Sequence, residues 1–228
     1  MAKRLAIIAL PILLAALSAS AGDVARFVDL GFSADSRYFM FGQYGIQEKG
    51  SSPWADTFIV DVKANVFVPR GVRRVVSSQP ADPGSDGIGA LFDAVEESSA
   101  QVAAYKIRHT LTGRMLYILV DGATPPSVVD FRDFQSGQNY EVTLTQNPPS
   151  GEAGASYSIS VSITGKDGVV HTYPAGNPSL RRPGVKAYHI KEILLAPDNA
   201  SLVFLIQKEE QDMQGNNIRY MIETVRIN

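Results

Sequence analysis

The chain has 228 residues with 21 Lys or Arg against 23 Asp or Glu, so its net charge is near zero and no nucleic-acid partner, which calls for a basic face, is expected. It has no cysteine, which excludes disulfides, thiolate metal sites, cysteine nucleophiles and the lipid-bearing cysteine of a bacterial lipoprotein. Hydrophobic burial alone must therefore hold the fold.

The first residues have the parts of a secretory leader: Lys3 and Arg4, an apolar run from Leu5 to Leu17, then Ala19-Ser20-Ala21. Cleavage is expected after Ala21, and the product is expected to be periplasmic or secreted. The apolar run is shorter than the roughly 20 residues that cross a bilayer, and nothing downstream replaces it, so no transmembrane span is expected after signal cleavage.

From Arg26 the chain alternates toward Phe32, turns at Ala34-Asp35-Ser36 and continues as a strand over Tyr38 to Tyr44. Gly45 to Ala55 reads as a loop, Asp56 to Val62 as a third strand and Val66 to Val68 as a short fourth, giving an antiparallel meander. Ser77 to Ser85 has linker composition. Ile88, Leu91, Phe92 and Val95 then recur at helical spacing behind Ser85 or Asp86 as N-cap, which predicts one amphipathic helix near residues 86–101.

Tyr105 to Thr110 reads as a strand, and Met115 to Val120, apolar on both faces, as a central one. Tyr140, Val142 and Leu144 alternate with polar residues, as do Tyr157, Ile159, Val161 and Ile163. Lys166-Asp167-Gly168 closes a hairpin. Pro174 to Gly184 reads as a loop. The end of the chain repeats the order of its beginning: a strand over Tyr188 to Leu195, a Pro197-Asp198-Asn199 turn, a strand over Leu202 to Gln207, a loop from Lys208 to Asn217 and a strand over Ile218 to Ile227. The fold class expected is mainly β: one antiparallel β-rich domain over residues 22–228, a sandwich or incomplete propeller-like meanders, with one helix.

The strand, Asp-centred turn and strand at each end resemble single blades of the TolB-like and WD40-like propellers. The run Leu30-Gly31-Phe32-Ser33-Ala34-Asp35-Ser36-Arg37-Tyr38, with Gln43-Tyr44-Gly45-Ile46-Gln47, Arg182-Pro183-Gly184-Val185-Lys186-Ala187-Tyr188 and Pro197-Asp198, is similar to the bacterial predicted secreted proteins grouped as domain of unknown function 2259. That resemblance implies export and one domain over most of the chain. It transfers no activity, catalytic residue or ligand.

Catalytic signatures are absent. The three histidines, His109, His171 and His189, lie apart and no Gly-x-Ser-x-Gly elbow accompanies them, so strand-packing or surface roles are the simpler reading. No histidine pair or oxygen-rich loop suggests a metal site, and no cofactor is expected. The glycines from Gly84 to Gly89 lack the Lys-Ser/Thr of a phosphate-binding loop and read as helix capping.

Candidate binding residues are Tyr44 and the sole tryptophan, Trp54, beside a loop, with Phe41 near them, and the basic group Arg181, Arg182 and Lys186. The function expected is a non-catalytic periplasmic or envelope-associated binding module for an envelope protein or a small ligand. The alternatives are a hydrolase with a triad assembled from distant residues and a structural partner docking through its sheet edges.

Overall fold

The computed structural model describes residues 23–227 except 49, 213 and 214. The leader expected over residues 1–21 lies outside them. The elements run β1 (Arg26–Ser33), β2 (Tyr38–Ile46), β3 (Pro53–Asp61), β4 (Val66–Val76), α1 (Ile88–Glu97), α2 (Ser99–Ala104), β5 (Ile107–Arg108) and β6 (Arg114–Ile118). They continue with β7 (Val128–Arg132), β8 (Asn139–Asn147), a short 3-10 turn, β9 (Ala155–Thr164), β10 (Val170–Arg182), β11 (Val185–Leu195), β12 (Ser201–Asp212) and β13 (Gly215–Arg226).

The strands form three open antiparallel sheets: a first sheet ordered β4-β3-β2-β1-β5, a middle sheet ordered β13-β12-β11-β6 and a far sheet ordered β10-β9-β8-β7. None closes into a barrel. The middle sheet has a core on each face because successive strand side chains point to opposite sides and β12 is apolar at every position from Leu202 to Ile206. Leu202, Phe204 and Ile206 pack in one core with Tyr140, Tyr157 and Ile159 of the far sheet. Val203 and Leu205 pack in the other with Phe39, Phe41 and Phe58 of the first sheet. Burying each such side chain is worth about 1.5–3 kcal/mol.

The two end hairpins meet: the Asp198 backbone N–H donates to Ser36 Oγ at 3.0 Å. Val24 also bridges Ile218 in parallel. On the other side, the β6 residue Arg114 forms a two-pronged pair with Asp133 of the β7–β8 turn, at 2.7 and 2.8 Å.

The helical segment covers the outer face of the first sheet. It is two helices rather than one, because Ser98 Oγ donates to the Ala94 carbonyl at 2.7 Å and accepts from the Thr57 hydroxyl at 2.8 Å, which turns the chain and ties it to β3. The N-cap position is Gly87, at φ 81°, with Asp86 accepting from the Ile88 N–H. A Cβ at residue 87 would lie 2.7 Å from the Gly45 carbonyl oxygen. The buried stripe is Ala90, Leu91 and Ala94, whereas Phe92 is exposed. Leu91 fills the space over Gly42, and the small alanines let the helix approach the sheet.

Several boundaries differ from expectation. Met115 to Ile118 belongs to β6, an edge strand whose side chains are half-buried or exposed, and not to a central one. The strand expected over Tyr105 to Thr110 is only Ile107–Arg108. The short fourth strand continues through Pro69 and a left-handed Arg70 to Val76. The expected loop over Pro174 to Gly184 is largely strand, as β10 runs to Arg182 with an irregularity between Asn177 and Arg182. β4 and β10, which carry these prolines within their length, are both sheet edges, where a missing N–H costs no ladder bond. The expected loop from Lys208 to Asn217 is a hairpin paired as far as Asp212 and Gly215.

Candidate functional site

Where the three sheets converge they leave a cleft of about 550 Å³. Its walls come from β2, β3 and β4 of the first sheet, β12 and β13 of the middle sheet, and the end of β10 in the far sheet. The inward side of β3 supplies Trp54, Asp56 and Phe58, three alternate residues that share a strand face.

Trp54 is 6% exposed and lies in the wall, opposite Gly45 in the sheet. The Arg219 guanidinium sits 4.3 Å from its ring centroid, a stacking that favours arginine over lysine. Arg219 also donates to the Asp23 carboxylate at 2.7 Å and to the Asp23 carbonyl at 2.9 Å, pinning the start of the described chain to β13. Gln43 bridges two strands: its Nε2 donates to Asp56 Oδ2 at 3.2 Å, and its Oε1 accepts the Tyr220 backbone N–H at 2.8 Å.

Charge pairing in the cleft is uneven. Arg74 lies 3.4 Å from Asp56, Lys208 2.6 Å from Glu210 and Arg219 2.7 Å from Asp23. Burial raises the Asp56 pKa, opposed chiefly by Arg74 and the Gln43 hydrogen bond. Burial also pushes the Tyr220 hydroxyl up to about 12, with Asp121 and Glu192 acting in the same direction.

The fourth cation, Arg182, enters from β10. Its Nη1 donates to the Tyr188 hydroxyl at 3.5 Å, and its guanidinium carbon lies 5.7 and 5.9 Å from the Tyr157 and Tyr188 rings. Among the described residues no carboxylate forms an ion pair with Arg182.

The apolar wall is an aromatic ladder. Phe41 stacks on Phe58 at 4.7 Å between centroids, and Phe58 stacks on Phe67 at 5.4 Å. Phe67 is half exposed at the end of this ladder, so the cleft offers both an apolar ring face and a guanidinium without a carboxylate partner.

The binding residues expected from sequence are dispersed. Tyr44 is 6% exposed and packs beneath α1 with Ala90, Leu91 and Ala94, on the opposite face of the first sheet from Trp54. Trp54 itself is a buried strand residue and not an exposed loop anchor, because β3 begins at Pro53. Arg181 donates to the Pro148 and Gly154 carbonyls at 2.8 and 2.9 Å, and Lys186 to Asn216 Oδ1 at 3.2 Å. Of that basic group only Arg182 lines the cleft. Asp56 was recoverable from its two-residue spacing to Trp54; Asp23, Lys208 and Arg219 have no local signal.

The histidines fall on three separate segments. His109 follows β5 and contacts the Leu30 carbonyl through Nδ1 at 2.6 Å, His171 is exposed on β10, and His189 on β11 contacts Glu209 through Nε2 at 2.8 Å. None lines the cleft. Among the described residues no three His, Asp or Glu side chains group as metal ligands, and no helix is long and apolar enough to cross a membrane.

A family model described as "Predicted secreted protein (DUF2259)" matches residues 40–226. No curated protein and no solved structure matches the chain.

Proposed function

Since the chain belongs to the DUF2259 family of predicted secreted proteins, we propose that it is an exported, non-catalytic binding module of the periplasm or envelope, released by cleavage after Ala21, that holds a small ligand in the three-sheet cleft. The observation that carries this reading is the convergence of three sheets on one concave site where aromatic walls meet placed charges. Ligand sites are typically concave and mainly apolar, with a few fixed polar groups. The Gln43 bridge and the Arg219 stack on Trp54 hold those groups before any ligand arrives. The histidines, which a hydrolytic reading would need, contribute nothing to this cleft.

The test is native mass spectrometry of the protein recovered from its own export compartment, alongside Val76→Trp. Val76 lines the cleft and is 57% exposed, so a bulky ring there obstructs the site without entering the core. A small molecule carried by the wild type and lost from the variant supports the proposal. A wild-type protein with no adduct, or an adduct retained by Val76→Trp, contradicts it.

A further inference from the structure

The cleft's charge pairing specifies a ligand class. Three of its cations, Arg74, Lys208 and Arg219, already face Asp56, Glu210 and Asp23. Each of the three has its charge offset by a carboxylate already in place, which weakens its pull on a ligand anion. Arg182 differs: one of its five N–H donors meets a neutral tyrosine hydroxyl, and rings flank it. Rings fix the plane of a guanidinium without satisfying its charge or its hydrogen-bonding fork. A carboxylate or phosphate matches that fork. The same cleft presents the half-exposed face of Phe67 over Phe58, a surface suited to a flat apolar group.

We propose that the cleft takes a planar, apolar ligand bearing a carboxylate or phosphate, with Arg182 as the group that binds its anion. This inference rests on the cleft being the binding site. It adds which ligands enter and which residue selects them.

Trp54, the only tryptophan, lines the cleft and supplies a fluorescence reporter beside calorimetry. The full exported chain is titrated with 2-naphthoate, 1-naphthyl phosphate, 2-naphthalenemethanol and acetate, in the wild type, Arg182→Gln and Arg182→Lys. At least one naphthyl anion should bind about tenfold or more tighter than the neutral alcohol, as expected of a charge-assisted hydrogen bond, and acetate should bind weakly for want of a ring. Arg182→Gln should erase the difference and Arg182→Lys restore part of it, with thermal melts confirming that both variants fold. Which anion wins separates carboxylate from phosphate.

Equal binding of the alcohol and the anions, or an anion preference unchanged in Arg182→Gln, overturns the anion assignment while leaving the cleft a ligand site. No binding by any probe also overturns it, and the cleft itself then stands or falls on the copurified molecule and Val76→Trp.

Discussion

The two faces of the middle sheet are joined to their neighbours by different chemistry. Toward the first sheet the large side chains are phenylalanines: Phe32 stacks on Phe39 at 4.4 Å and Phe41 on Phe58 at 4.7 Å, with no polar atom among the four rings. Toward the far sheet they include tyrosines, and the hydroxyls of Tyr140, Tyr157, Tyr173 and Tyr188 each have a partner. Tyr157 donates to Glu223 at 2.8 Å, Tyr173 to the Ile227 carbonyl at 2.6 Å and Tyr188 to the Ala155 carbonyl at 3.2 Å. A buried hydroxyl needs its acceptor at one place, so the tyrosine joint carries its register in its own rings, whereas the phenylalanine rings require only matching shape and leave the register of that joint to polar contacts around them, Gln43 with Tyr220 and Asn65 with Thr224. The charged cleft lies at the end of the phenylalanine joint, where Phe41 and Phe58 line it.

Glu223 is the point at which all three sheets are tied. Its carboxylate accepts from Tyr157 of the far sheet and from Asn65 Nδ2 in the β3–β4 turn. Asn65, left-handed at φ 54°, also accepts the Thr224 N–H at 3.0 Å, so that turn wraps over the edge strand β13.

The largest predicted effect strikes the shape-matched joint. Phe41→Ala should cost about 3–5 kcal/mol in urea unfolding, through lost burial and the cavity left behind. A cost under about 1 kcal/mol would mean the first and middle sheets are not packed through these rings. Next comes Asp133→Asn, at about 2–3 kcal/mol, below the full cost of breaking a deeply buried pair because Arg114 keeps partial access to water.

That second variant also predicts a pH signature. The Arg114 hydrogen bonds hold the Asp133 carboxyl well below the usual carboxylate range in the folded protein. Its contribution is therefore fully present above the unfolded pKa of about 4 and is lost as pH falls below it, so Asp133→Asn should flatten the acid limb of the stability curve. Asp29 on β1 runs the other way. Burial raises its pKa despite hydrogen bonds from Gly31 and Gly113, so its contribution is greatest when protonated and is lost as pH rises through the carboxyl range. Asp29→Asn should remove that opposing slope. Urea midpoints between pH 3 and 7 check both signs.

Tyr157→Phe should cost about 1–3 kcal/mol by leaving Glu223 short of a donor. A neutral result would place the hydroxyl–carboxylate bond outside the forces that set the tyrosine joint. The smallest effect belongs to Ser36→Ala, about 1 kcal/mol, for the hydrogen bond between the two end turns.

Much of this architecture is readable from local pattern. The alternation in Tyr140-Val142-Leu144 and Tyr157-Ile159-Val161-Ile163 assigns one dry face to β8 and β9, and those residues are the buried ones. The Asp35 and Asp198 turns mark hairpins because the side chains satisfy nearby backbone: Asp35 accepts from the Arg37 N–H and Asp198 from the Ala200 N–H. What local pattern omits is the set of neighbours a strand acquires. Leu202 to Ile206 and Met115 to Val120 are both unbroken apolar runs, yet the first lies between two cores and the second contributes an edge strand and the residues beyond it. Proline and glycine in β10 mimic a loop because an edge strand tolerates them. The cleft is the least readable feature, since Asp23, Trp54, Arg182 and Arg219 come from separate segments and meet only through sheet packing.

Hydrogen exchange read by mass spectrometry on protein taken from its native compartment, before and after small molecules are stripped by dialysis, tests the binding site most directly. The account predicts that stripping speeds exchange in β3 and β4 around Trp54 to Val76 and in the β12–β13 hairpin around Lys208 to Tyr220, while the α2 side of the first sheet near His109 stays unchanged. Ligand-dependent protection near His109, with the cleft strands indifferent, would contradict it.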